Sequence, residues 1–125
     1  MIEIKREKKF FALGEMRLEN GERLRNARLC YQVVGTPNRA RDNLVLIPSY
    51  YGGTHWGSLP LLGADGPLAG GDYCVVLTNL FGAGWSTSPS NAAPGQGAAD
   101  FPRVGLLDNV RAQKALLEIG RASCR

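Results

Sequence analysis

The residues of this 125-residue chain that could do chemistry gather after two apolar runs. Leu44 to Ile47 leads into Pro48-Ser49-Tyr50-Tyr51-Gly52-Gly53-Thr54-His55-Trp56, and Tyr73 to Leu77 leads into a segment that contains Gly82, Gly84, Trp85, Ser86 and Ser88. A glycine-rich, aromatic loop at the end of a buried strand is a site candidate, and a hydroxyl becomes a nucleophile when a base lies beside it. The chain has a single histidine, His55, and no Gly-x-Ser-x-Gly anywhere. A structural hydrogen bond is therefore expected of His55 before proton transfer, and loop hydrogen bonding of Ser49, Ser86 and Ser88 before nucleophilic attack. Gly82 and Gly84 fit either a substrate channel or a plain turn.

Composition narrows the field. Hydrophobic residues make up 44% and charged residues 21%, as in an ordinary globular protein of one small domain. The net charge of +4 comes from Lys and Arg interleaved with Glu, with no basic run, so no nucleic-acid partner is expected. Cys30, Cys74 and Cys124 form no C-x-x-C pair, which supports neither a metal site nor a disulfide framework. Cys30 and Cys74 lie in apolar runs and read as small buried hydrophobes. Met1 to Lys9 is charged throughout and is no signal peptide; no apolar run is long enough for a membrane helix. The expected location is the reducing cytoplasm, with no organic cofactor.

The elements that must position the two loops follow from local pattern. Residues 10–18 and 23–34 are expected to pair as an antiparallel hairpin, with Asn20-Gly21 in a type I′ turn. Leu24, Ala27, Leu29, Tyr31 and Val33 are the inward candidates, out of phase before Ala27. Residues 44–47 and 73–77 run without alternation, as strands buried on both faces of a parallel sheet do, and Pro48 should end the first ladder. Residues 59–71, broken by Pro and Gly, leave room for one short helical turn. Leu106, Leu107, Val110, Ala112, Ala115, Leu116 and Leu117 recur at helical spacing within 104–117, with Asp108 in the first turn where the helix dipole favours an anion. Capping and a solvated face are the simplest roles for Asp108 and Arg111. The order is that of an α/β sheet with an antiparallel edge, and sites in such sheets lie beyond the carboxyl ends of the strands.

In order along residues 10–117 stand Gly14-Glu15, Leu29-Cys30-Tyr31, Gly35-Thr36, Arg41-Asp42-Asn43, the strand and loop to His55-Trp56, Asp72-Tyr73, Thr78-Asn79-Leu80-Phe81-Gly82 and Asp108-Asn109-Val110-Arg111-Ala112-Gln113. As an ordered set they resemble the N-terminal part of the homoserine O-acetyltransferase family, which has the α/β-hydrolase fold. The resemblance implies acyl transfer from acetyl-CoA to a hydroxy amino acid through a serine acyl-enzyme, within methionine biosynthesis. It implies small-molecule substrates, no membrane partner and a homodimer at full length. The nucleophile elbow and its partners would follow the helix, outside this chain. What remains here is the oxyanion side: the Tyr51 backbone N–H is the matching donor, with Tyr50, Gly52 and Gly82 around the substrate. The transferases' His-x-Leu-Thr-Gly after the first strand is replaced by Pro48-Ser49-Tyr50-Tyr51-Gly52-Gly53, so an esterase-like hydrolase of unknown substrate is the alternative.

Residues 1–117 are accordingly expected to be an incomplete α/β-hydrolase domain, cut before the elbow. Residues 118–125, which break the amphipathic pattern at Gly120 and read as one frame of a common sequencing adapter, are expected to be a non-native tail. Without nucleophile or base, these residues alone are expected to be inactive, and poorly soluble if strand 73–77 has an open edge.

Overall fold

The computed structural model describes residues 4–123. The hairpin forms as its alternation requires: β1 (Lys9–Arg17) pairs antiparallel with β2 (Arg23–Val34). The turn is not type I′. Gly21 alone has positive φ, and the Gly21 N–H donates to the Leu18 carbonyl while the Leu18 N–H donates to Glu22. This three-residue loop closed by a left-handed glycine needs no strained Asn20, whose side chain instead accepts the Glu22 N–H. The broken phase before Ala27 has a physical cause as well. Pairing shifts register twice, around Gly14, and Asn26 opposite takes a φ of 50°, so Leu24 and Ala27 both turn inward although three residues apart.

β3 (Leu44–Pro48) and β4 (Cys74–Thr78) pair in parallel, and the sheet order is β1-β2-β4-β3. This overturns one expectation. β4 is central, hydrogen-bonded to β2 on one side and β3 on the other, so residues 73–77 have no open edge. β3 lies at the edge instead, and its apolar residues are half-buried rather than buried on both faces. Pro48 still pairs with Thr78, because the last ladder bond on this side is donated by Ser49. Gly35, at φ +91°, lets the chain leave β2 against the Tyr73 carbonyl, where any Cβ would collide.

Each face of the sheet has its own cover. The helix α1 (Leu106–Ser123) packs Ala112 and Leu116 onto Leu18, Leu24, Ala27, Leu29, Val76 and Phe81. Burying a side chain such as Leu116 contributes about 1.5–3 kcal/mol. The helix starts two residues later than expected, where the Asp108 carboxylate accepts the Gly105 N–H, and runs past Gly120, since one glycine costs only about 1 kcal/mol. Leu106, Leu107 and Val110 are exposed, because Asp108 and Asn109 occupy the inward positions of the first turn. The opposite face is covered by a 3-10 helix, His55–Leu62, which begins before the expected 59–71 segment and sets Leu59 on Val75 and Leu77.

Candidate functional site

Both glycine-rich loops leave the carboxyl ends of β3 and β4 and are stitched to each other. The Ser49 N–H donates to the Thr78 carbonyl at 2.7 Å, and the buried Ser49 hydroxyl accepts the Leu80 N–H at 3.1 Å. The chain then turns on Tyr50-Tyr51-Gly52-Gly53, closed by the Gly53 N–H on the Tyr50 carbonyl at 3.1 Å. Gly52, at φ +79°, fills the third position, which in a type II turn demands positive φ. The Tyr50 ring lies back over Gly53 and Gly57, where a Cβ on either would collide with it. Tyr51 stands at the tip, 99% exposed, and among the described residues its N–H makes no hydrogen bond. Tyr50, Tyr51 and Gly52 thus share one turn. Gly82 belongs to the second loop, where its N–H is used on the Thr87 carbonyl at 3.0 Å.

The far end of the first loop is fixed by His55, which is fully buried. Its backbone N–H donates to Asn79 Oδ1 at 3.1 Å, and Asn79 Nδ2 approaches its Nδ1 at 2.6 Å. Its Nε2 faces the Glu7 carbonyl at 2.8 Å and Gln32 Oε1 at 3.2 Å, both acceptors. These partners select one neutral tautomer, with the proton on Nε2. Burial holds the imidazole below its usual pKa; the Glu7 carbonyl opposes this and the Lys8 ammonium adds to it. Asn79 and Gln32 are themselves pinned, Asn79 Nδ2 to the Cys30 carbonyl and Gln32 Nε2 to the Lys5 carbonyl. Trp56 and Trp85 meet edge to face at 4.6 Å beside His55, with Lys8 Nζ 3.8 Å above the Trp85 ring. The expectation that His55 serves structure rather than proton transfer agrees with this geometry.

The hydroxyls behave likewise. Ser86 accepts the Cys30 N–H and donates to the Asn79 carbonyl; Ser88 accepts the Gly84 N–H and donates to the Ser86 carbonyl. No described serine bonds to His55, so no nucleophile–base pair exists among the described residues. The Thr78 hydroxyl is fully buried and has no hydrogen-bond partner among them. Asp108 caps α1 and ties it to the hairpin turn through the Glu19 N–H at 2.8 Å, while exposed Arg111 pairs with Glu19 at 2.9 Å. Asn109 holds the second loop by accepting the Phe81 N–H at 2.8 Å. No group of three or more His, Cys, Asp or Glu among the described residues could hold a metal ion, and no helix is long and apolar enough to cross a membrane. Cys30 and Cys74 are buried as expected, and burial pushes the Cys30 thiol pKa up; Cys124 lies outside the described residues.

Sequence reasoning missed Asn79, Gln32 and Lys8. Only Gln32 carried a signal: it is a polar residue on the same side of β2 as Cys30 and Val34, facing a covered sheet face.

Among the described residues the loop therefore offers unpartnered backbone donors, the Tyr51 N–H among them, between two bonded ends, and no serine beside a base. No family model matches the chain. Among similar proteins, a probable esterase of Corynebacterium glutamicum is 36% identical over 109 residues, covering 85% of this chain and 31% of the relative. A homoserine O-acetyltransferase of Symbiobacterium thermophilum is 38% identical over 119 residues, covering 82% and 31%. The crystal structure of an acetylester hydrolase from Corynebacterium glutamicum superposes with a TM-score of 0.84 at 33% identity, over 90% of this chain and 33% of that one. The chain spans about a third of the length of the relatives it matches. It is a homologue of homoserine O-acetyltransferases and of esterases, and it carries the N-terminal portion of the α/β-hydrolase fold.

Proposed function

We propose that this chain is the oxyanion-side portion of an enzyme that transfers an acyl group through a serine acyl-enzyme. The observation that carries the reading is the Tyr51 N–H, unpartnered on an exposed tip whose two ends are buried and bonded. A donor held in advance, with no rearrangement needed as charge develops, is what oxyanion stabilisation requires. Tyr50 and Gly52, in the same turn, and Gly82, in the second loop, are the substrate-contacting candidates. The elbow serine, acid and base come from sequence outside these 125 residues. Residues 1–117 are then an incomplete domain and 118–125 a non-native tail, whose helical conformation through Ser123 is neutral on its origin.

The ordered motifs favour acetyl-CoA as donor and homoserine as acceptor, which would place the full-length protein in cytoplasmic methionine biosynthesis, as a homodimer acting on small molecules. A second reading, ester hydrolysis with water as acceptor, is favoured by the replaced loop sequence at 48–53. One experiment separates them. The locus is sequenced from genomic DNA past codon 118, and the full-length product is incubated with p-nitrophenyl acetate and with acetyl-CoA, with and without homoserine. A Gly-x-Ser-x-Gly one strand further on and an acetylated serine in the quenched protein are expected. Acetylhomoserine formation marks the transferase, and ester cleavage indifferent to homoserine marks the hydrolase. A reading frame that ends at Arg125, or a full-length protein that never acylates, overturns the proposal.

A further inference from the structure

We propose that His55 and Asn79 are positioning residues for the Tyr51 amide: their side-chain pair locks the far end of the loop whose near end Ser49 locks. The inference rests on the reading of Tyr51 as an oxyanion donor. Residues 50–54 span the gap between two anchors, and all the hydrogen bonds that reach across from the neighbouring strand end come from three consecutive residues. The Thr78 carbonyl and Leu80 N–H hold Ser49, and the Asn79 side chain holds His55 at two points. Ser49, His55, Thr78 and Asn79 are all buried, whereas Tyr51 is almost wholly exposed. A five-residue span with two adjacent glycines is entropically loose by itself. Fixing both of its ends to one rigid strand terminus is what would leave the tip in a single place. Displacement of about 1 Å at a catalytic group can cost two orders of magnitude in rate.

The pair works only while His55 is neutral. A proton on Nδ1 would point an N–H at the amide NH2 of Asn79, and that amide cannot flip, because its oxygen already accepts the His55 backbone N–H. The charged groups beside the flanking tryptophans are cationic: Lys8 lies over Trp85 and Trp56, and Arg6 over Trp56, while Glu7 offers His55 its backbone carbonyl. Lys8 disfavours a second positive charge on the imidazole.

The test uses Asn79→Asp, which keeps the acceptor for the His55 backbone and exchanges the donor facing Nδ1 for a carboxylate, and His55→Asn, which keeps an acceptor near the Nδ1 position. In the 125-residue chain the single histidine gives one imidazole signal by NMR. Asn79→Asp should raise its midpoint, because a carboxylate then faces Nδ1, and should lower the 15N order parameter of the Tyr51 amide. In the full-length protein, His55→Ala should lower kcat roughly tenfold to a hundredfold with KM within about twofold, and His55→Asn should restore part of it. Asn79→Asp should add an acid-dependent limb to kcat. An unchanged kcat in folded His55→Ala, or a rise in KM alone, overturns the positioning role. If wild-type full-length protein forms no acyl-enzyme, the catalytic reading fails by itself. The positioning claim is then judged on the Tyr51 amide, whose 15N order parameter must fall in Asn79→Asp for the claim to survive.

Discussion

The two faces of the sheet are held in different ways. On the α1 face, Leu18, Leu24, Ala27, Leu29, Val76, Phe81, Ala112 and Leu116 form one apolar cluster. On the other face, Leu59, Val75 and Leu77 are the buried cluster, with partly buried Ile4, Val34, Val45, Ile47, Leu62 and Leu68 against it, and beside them lies a polar and aromatic group: His55, Gln32 and Asn79, flanked by Trp56 and Trp85. Apolar burial is non-directional and forgives small shifts. A buried hydrogen-bond network is directional, and each missing partner leaves a desolvated group behind. The first face supplies stability; the second fixes where the loop beside it sits.

The sharpest way to break this contrast is one truncation on each face. Leu29→Ala, at a site with no exposure, should cost about 2–5 kcal/mol, read as a lowered denaturant midpoint with little change in slope. His55→Ala should cost less, about 1–3 kcal/mol, since it takes one of two partners from Asn79 Nδ2 and from the Glu7 carbonyl without opening a large apolar cavity. The two faces should also part in their pH response. His55 is held below its unfolded pKa of about 6.5, so the unfolded chain takes up the proton first as pH falls. Stability that is complete above about pH 6.5 should then decline toward the folded value in wild type and in Leu29→Ala, and this decline should vanish in His55→Ala. A decline of equal size in all three proteins would remove His55 as its source.

Asp108, one of three buried polar residues of α1 with Asn109 and Gln113, sharpens the comparison. Its carboxylate accepts the Gly105 and Glu19 N–H groups, so it both starts the helix and fastens it to the hairpin turn. Asp108→Ala should cost about 0.5–2 kcal/mol, a cap's worth, in urea unfolding. A loss as large as that of Leu29→Ala would mean that directional bonds dominate this face as well.

What was legible in the sequence divides along the same line. The hairpin and the helix follow from the spacing of their apolar residues, and the two parallel strands from apolar runs without alternation. The ordering of strands was not local information: β3 and β4 both read as continuous apolar runs, and only pairing with β2 makes β4 central. The bulge at Gly14 and Asn26 was visible only as a lost phase before Ala27, since the extra residue leaves a gap in the pattern without naming its cause. At the site, glycine and position after a strand marked the Tyr50–Gly53 turn. Asn79 stood out only as part of the Thr78–Gly82 segment and Lys8 not at all, and neither showed its role, because a polar residue in a loop reads the same whether it faces water or a buried imidazole.

Lys8 offers the finest test. Its ammonium lies 3.8 Å from the Trp85 ring centre and 5.4 Å from that of Trp56, while the neighbouring Glu7 carbonyl takes both His55 Nε2 and the Trp56 Nε1–H. Lys8→Met keeps most of the aliphatic stem and deletes the charge, so the direct loss should be only about 0.5–1 kcal/mol, that of a partly exposed cation–π contact. The charge has a second effect that stability alone would hide. It pushes the His55 pKa down, so its removal should let that pKa rise. The acid-side loss of stability would then saturate at higher pH and be smaller in total, a change readable from urea midpoints measured between about pH 5 and 7. Equal acid-side losses in wild type and Lys8→Met would show that burial alone keeps His55 neutral, and that residues 5–8 serve this face only through their backbone.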